Sequence, residues 1–434
     1  MKRLSIQLPP PGDCPPDESC PIRIAIGDLI LTRLLRQPGS QPDDAVIAPP
    51  AALAFWLCDN WWRLRWETRS RQEPSADWLL AHELTSAGGG CAWPRLSIWG
   101  DSDRVALLGR ADPVGVVGPV RYLTDGFAYV EASDFETEID RVLDRISDDR
   151  TGFGSDRSAL RALVAALREE RGDPERALWR RLEARLGYDP DDCPDEVIEA
   201  TGALAEQYGL DAVEEAVAAT PGADASSLLT EEITLAKERG KVCNFSAVLS
   251  QIDRVPRRSP EPPWIAAEEA AARVREACAI GSGPIPPARL ADLLGTTRYS
   301  FRQTARAGDR AYGLRLHADD SGERQRVSLR HRDPRSRRFE LCRALGDTLW
   351  SRGESMGPLT DTSTARQRFQ RAFAQSLLCP FKDLLAFLDT DRPDDDDIES
   401  AATHFHVSTR LVETLLVNKG LIDRARVEDR LEAA

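Results

Sequence analysis

Five histidines, His82, His317, His331, His404 and His406, are the chain's whole supply of imidazole, the group on which most metal centres and acid–base sites depend. One stretch, Leu80-Ala81-His82-Glu83-Leu84, begins like a His-Glu-x-x-His motif, in which two imidazoles at i and i+4 hold zinc from one helical face and the glutamate serves as base. The residue four after His82 is Ser86, and Gly88-Gly89-Gly90 ends any helix there, so the second ligand is missing. His404 and His406 could chelate a metal, but they fall between two short helical patterns and are expected at the surface. The nine cysteines (14, 20, 58, 91, 193, 243, 278, 342, 379) are odd in number and lack Cys-x-x-Cys spacing. They are expected as reduced thiols rather than as a disulfide framework or a structural zinc site. No metal and no cofactor is implied by these residues.

Arginine supplies nearly all the positive charge. The densest patch is Arg324, Arg326, Arg330, Arg332, Arg335, Arg337 and Arg338, with Arg410 further along. Such a patch reads either as a solvated loop or as a seat for nucleic acid or another anionic partner. A net charge of −14 and a sequence pI near 5.1 oppose non-specific binding to DNA or anionic lipid, so DNA contact would have to come from the local patch. No run of 18 or more apolar residues is present, and the basic start Met1-Lys2-Arg3 leads into no apolar signal core. The expectation is a cytoplasmic protein with no membrane association.

These groups are carried by an α+β chain. Residues 1–150 read as a small α+β domain. It has a strand over Arg3–Leu8, a helix over Pro49–Trp66, and a hairpin of Arg95–Trp99 with Val105–Leu108. A second hairpin is expected for Val120–Leu123 and Phe127–Val130 around Asp125-Gly126. Ser133 and Glu136 suggest a capping box opening a helix that runs to Ile146. Seven of the ten tryptophans lie between Trp56 and Trp99; a packed aromatic core is expected there, with base stacking the alternative. Residues 156–252 read as a helical module. Residues 253–263 hold four prolines and read as a linker, 264–390 as a third domain, and 391–434 as a paired-helix segment.

The third domain carries the sharpest pattern. Arg338-Phe339 opens a helix that continues through Leu345-Gly346; later come Phe373-Ala374-Gln375-Ser376-Leu377-Leu378-Cys379-Pro380 and Ala402-Thr403-His404-Phe405-His406-Val407-Ser408. Across roughly residues 260–425 this order resembles the ImmA/IrrE family of zinc metallopeptidases, whose active-site helix bears His-Glu-x-x-His after an Arg-Phe opening. The resemblance implies a mostly helical, zincin-like domain with a small sheet, followed by a helix-turn-helix. It also aligns Arg343 with the first zinc ligand, Ala344 with the general base and Asp347 with the second ligand. Arginine is a permanent cation and cannot coordinate one, alanine cannot accept a proton, and a lone aspartate holds no zinc. The family's acidic third ligand would precede Phe373, yet no Asp or Glu occurs between Asp361 and Asp383.

The implied protein is therefore a non-catalytic, degenerate peptidase. It would act as a regulator or scaffold that binds a protein partner or an anionic ligand, in the mobile-element, defence or stress-response setting common to this bacterial family. Arg343, Arg368 and Arg371 could turn the former metal cleft into an anion pocket. Alternatively Arg343 and Asp347 pair on the helix surface for about 0.3 kcal/mol. Two other readings stay open. The paired helices and the Arg-rich loop could make a DNA-binding regulator, although Asp394–Asp397 would repel phosphate. An active hydrolase would need unorthodox residues.

Overall fold

The computed structural model describes residues 3–10, 19–36, 41–69, 73–115, 118–148, 157–255, 262–302, 311–351, 353–390 and 392–422. The expected linker at 253–263 lies mostly outside them, as do Cys14 and residues 423–434. The chain is α+β, with seventeen helices and several small antiparallel sheets among the described residues. It forms two units, Met1–Gly202 with Thr220–Ala223, and Ala203–Ala219 with Asp224–Ala434.

In the first unit, alternation builds the strands. β1 (Leu4–Gln7) pairs antiparallel with β2 (Cys20–Ile26), where Ile22, Ile24 and Ile26 are buried. β3 (Leu29–Ile30) and β5 (Val46–Ala48) also pair with β2, and β4 (Leu34–Leu35) pairs with β8 (Arg121–Tyr122). The helix expected over Pro49–Trp66 is two, α1 (Pro50–Asp59) and α2 (Trp61–Trp66). They part at Asn60, whose side-chain amide donates to the Trp56 carbonyl at 2.9 Å and so competes with the helical ladder. α3 (Ala76–His82) follows. The first hairpin forms as β6 (Arg95–Asp101) and β7 (Arg104–Arg110), turning through Ser102 at φ +54°.

The second expected hairpin does not form. β9 (Gly126–Glu131) pairs with β7, not with β8. Gly126 is used for packing rather than for a turn, since a Cβ there would lie 2.7 Å from the Leu29 side chain. The Ser133–Glu136 capping box is also absent. α4 (Ala132–Ser147) starts after Glu131 without a side-chain cap, because Glu136 is committed to Arg65 at 2.6 Å. Six of the seven tryptophans between Trp56 and Trp99 are buried, in line with an aromatic core. Cys20 is disulfide-bonded, which corrects the expectation of reduced thiols at that position. Cys58, Cys91, Cys193, Cys243, Cys278, Cys342 and Cys379 are free.

The helical stretch over 156–252 divides between the units. α5 (Arg157–Gly172) and α6 (Pro174–Arg185) contribute Leu160, Val164, Leu167 and Ala184 to the core of the first. α7 (Asp195–Tyr208) spans the boundary. In the second, α8 (Leu210–Val217) and α9 (Ala225–Arg239) precede β10 (Lys241–Asn244), which forms the edge of a four-stranded antiparallel sheet. Its order is β10, β12 (Arg324–Ser328), β11 (Gly313–His317) and β13 (Met356–Leu359). After the short α10 (Ser246–Leu249), α11 (Pro263–Ala277) and α12 (Pro287–Leu293) lead to α13 (Pro334–Trp350).

α13 is the second unit's central helix, with Arg337, Arg338 and every residue from Glu340 to Trp350 buried. α14 (Ala365–Leu378) packs against it and against the alanine face of α11, Ala267, Ala270 and Ala271. Gly346 permits this approach: a Cβ there would meet the Phe373 ring at 2.8 Å. α15 (Phe381–Leu388), α16 (Asp395–Phe405) and α17 (Thr409–Asn418) complete the unit. No helix among the described residues is long and apolar enough to cross a membrane.

Candidate functional site

Three elements converge on Asp347. Pro334 and the N-cap Asp333, which accepts from the Arg335 and Ser336 amides, start α13. Thr364 caps α14 by accepting from the Gln367 amide. Arg366 and Gln370, one turn apart on α14, then face Asp347, while Arg315 reaches it from β11. Arg315 Nε donates to Asp347 Oδ2 at 2.9 Å, and its Nη2 lies equally close. Arg366 holds both oxygens, Nε to Oδ1 at 2.6 Å and Nη2 to Oδ2 at 3.0 Å, the bidentate geometry that suits a guanidinium. Gln370 Nε2 adds a bond to Oδ1 at 2.7 Å.

The cluster is sealed from solvent: Asp347 and Arg315 are 0% exposed and Arg366 is 4% exposed. Burial works against ionising Asp347, but the Arg366 and Arg315 guanidiniums outweigh it and hold the carboxyl well below the usual carboxylate range. Arg366, despite its burial, is pushed upward by the same carboxylate. Asp347 and Arg366 thus favour each other's charged form, while burial lowers Arg315 against the pull of the same carboxylate. Arg366 Nη1 is buried without an acceptor, so the polar surplus at the centre consists of donors, the wrong sign for a divalent cation.

The two neighbouring positions of the aligned motif are equally committed. Ala344 is 0% exposed and lies within the apolar core. Arg343 is buried and donates through Nη2 to the Thr360 carbonyl at 2.7 Å, Gln367 Oε1 at 2.7 Å and Gln370 Oε1 at 3.1 Å. Gln370 therefore bridges Arg343 to Asp347. Gln367 passes the network on to Glu215 of α8, which also accepts from Thr364. An exposed Arg343–Asp347 pair is not what forms, because both side chains are interior and Asp347 is engaged from the other two elements. Arg343 and Arg371 do come together, sharing the Thr360 carbonyl; Arg368 is half-buried on the same helix.

Gly357 makes the arrangement possible. It sits opposite Arg315 in the β11–β13 register, and a Cβ there would fall 1.8 Å from Asp347 Oδ2 and 2.7 Å from Arg315 Nε. Gly357→Ala is expected to cost about 1–3 kcal/mol by overpacking. Chemical denaturation followed by circular dichroism measures this, and a wild-type midpoint would contradict the close approach.

The Arg-rich segment does not form one surface. Arg324 and Arg332 are exposed, while Arg326, Arg330 and Arg335 are half-buried. Arg330 pairs with Asp361. Arg337 is buried and donates to the Ser300 and His331 carbonyls. Arg338 is also buried, donating to the Ile285 carbonyl at 2.9 Å. In the paired-helix segment, Asp394 makes a capping box with Asp397, so part of the acidic run serves to start α16. His406 takes the left-handed turn position at φ +54°, and His404 stacks on Phe387 at 4.3 Å. Ser408 caps α17, and Arg410 is exposed on its first turn.

His82 is not beside a second imidazole but in a buried ion cluster of the first unit. Its Nε2 lies 2.8 Å from Glu67 Oε2 and its Nδ1 2.6 Å from the Ile98 carbonyl. Among the described residues no group of three or more His, Cys, Asp or Glu side chains is placed to hold a metal. Sequence reasoning missed Arg315, Arg366, Gln367, Gln370 and Glu215. Their one local signal was an arginine inside the apolar strand pattern Gly313-Leu-Arg-Leu-His317. No family model, curated protein or solved structure matches the chain.

Proposed function

We propose that the second unit is a degenerate ImmA/IrrE-type peptidase domain that has exchanged zinc chemistry for a buried ionic core. In this reading the chain acts as a non-catalytic regulatory or scaffolding protein whose ligand is a protein partner or an anion. The observation that carries the reading is the occupancy of Asp347. The one side chain at the aligned positions that could ligate a metal has both oxygens taken by two guanidiniums and an amide, out of contact with solvent. A hydrolytic zinc site needs three protein ligands and an open position for water. Here the aligned positions carry a cation, a methyl group and a neutralised carboxylate. The order of motifs over residues 260–425 supports the family reading, and that family's association with repressors supports the regulatory setting.

The test is metal analysis of the purified chain after exhaustive dialysis, paired with a peptide-hydrolysis assay in added zinc. Zinc far below one equivalent and no hydrolysis above the buffer rate are expected. Stoichiometric zinc that is lost in Asp347→Ala would overturn the proposal. A gel shift on duplex DNA that weakens steeply with salt would instead favour a DNA-binding regulator.

A further inference from the structure

The β6–β7–β9 sheet of the first unit has two apolar faces, and only one of them joins the main core. Leu96, Ile98, Val105, Leu107 and Val130 point into that core. On the opposite face the register sets Trp99, Ala106 and Tyr129 in one cross-strand row and Ser97, Leu108 and Phe127 in the next. Trp78 of α3 packs on the first row, while Phe127 in the second is 48% exposed. We propose that this face binds single-stranded nucleic acid, with a base stacked on Phe127 and phosphates held by Arg69 and Arg110. The inference rests on the first unit alone and is independent of the reading of Asp347.

Two observations set the chemistry. The first is a run of rings that ends in solvent. Phe127 stacks on Trp99 with 6.0 Å between centroids and 30° between planes, and Tyr129 meets Phe127 edge-on at 4.8 Å. A base can lengthen such a run, because every base presents a flat π face. The second is unmatched positive charge. The Arg69 guanidinium lies 5.2 Å from the Trp99 ring centroid and 5.8 Å from that of Trp78. Arg110 is exposed and follows Leu108 by two strand positions, so it stands on the same face. Among the described residues neither arginine has an ion pair or a hydrogen bond. The acids bordering the face are engaged elsewhere: Glu131 with Arg104 at 3.3 Å, Glu83 with Arg95 at 3.7 Å, and Asp125 with the Ala111 amide at 2.9 Å. A purely apolar partner would bury two cations without anions and is disfavoured. A nucleic-acid strand brings flat rings and phosphates together, which matches both observations. The chain's net charge of −14 confines the attraction to these two cations.

The test is fluorescence anisotropy of a labelled oligodeoxyadenylate titrated with the full chain over a series of salt concentrations. Saturable binding at low salt is expected. With two phosphates held, the logarithm of the binding constant should fall against that of salt with a slope of about −1.4. Arg110→Gln should reduce the slope to about −0.7. Phe127→Ala should weaken binding about five- to 150-fold, the scale of one stacked base, while Phe127→Tyr keeps a ring and should bind like wild type. Thermal melts check that the variants fold. The proposal is overturned if nothing saturates, if a duplex of the same composition binds as tightly, or if the folded Phe127→Ala variant binds like wild type. An unchanged salt slope in Arg110→Gln would overturn it too. Displacement of the strand by an equal concentration of polyglutamate would reassign the face to an acidic protein partner, and so would also sink it.

Discussion

Asp347→Asn is expected to destabilise the second unit by about 3–5 kcal/mol, the scale for breaking a buried ion pair by removing one partner. The exchange is nearly isosteric, so packing hardly changes. What changes is that Arg315 and Arg366, 0% and 4% exposed, lose their shared anion and face a new amide donor. Urea unfolding followed by far-ultraviolet circular dichroism measures the loss, and a change under about 1 kcal/mol, the scale of an exposed pair, would show the cluster to be hydrated. The effect should depend on pH in one direction. Because the folded-state carboxyl is held below its unfolded value, its contribution is complete above about pH 4 and is lost as the pH falls through the folded value. The gap in stability between wild type and the Asp347→Asn variant should therefore narrow in acid.

A companion replacement separates architecture from function. Buried ion clusters are often no more stabilising than well-packed apolar residues of similar volume. Arg315→Met, Asp347→Leu and Arg366→Met together should therefore restore much of what Asp347→Asn alone removes. In that case the interior needs the cluster to be complete more than it needs it to be ionic.

The parts of this fold legible in the sequence are those written in local spacing. The β6–β7 hairpin, α4, the α13–α14 segments and the two helices around His406 each carry their own period and punctuation, and each forms close to its expected place. The failures share a cause. Asp125-Gly126 has the composition of a tight turn, but the glycine is needed where Leu29 crosses the strand. Ser133 and Glu136 have capping-box spacing, but Glu136 is drawn to an arginine 71 positions earlier. The ionic centre was illegible for the same reason: Asp347 meets partners 32 and 19 positions before and after it, and spacing rules reach no further than one or two helical turns.

The same logic applies to Glu67, which has no motif around it. Its Oε2 accepts from Arg63 Nε at 2.6 Å and lies 2.8 Å from His82 Nε2, with all three side chains buried. Burial opposes its charge, yet His82 and Arg63 more than offset this and keep the carboxyl below its ordinary range. Both nitrogens of His82 face oxygens, Glu67 and the Ile98 carbonyl. Glu67→Gln should therefore cost about 3–5 kcal/mol, leaving the buried Arg63 without the one buried carboxylate that holds it. Asp77→Ala, which removes a partner of Arg63 that is 67% exposed, should cost only about 0–1 kcal/mol. Eight of the ten tryptophans belong to the first unit, and Trp78 stacks on His82 at 4.2 Å, so intrinsic fluorescence during urea unfolding reads this loss directly. Equal losses for the two variants would mean that burial does not decide which carboxylate holds Arg63, and the interior reading of the cluster would fail with it.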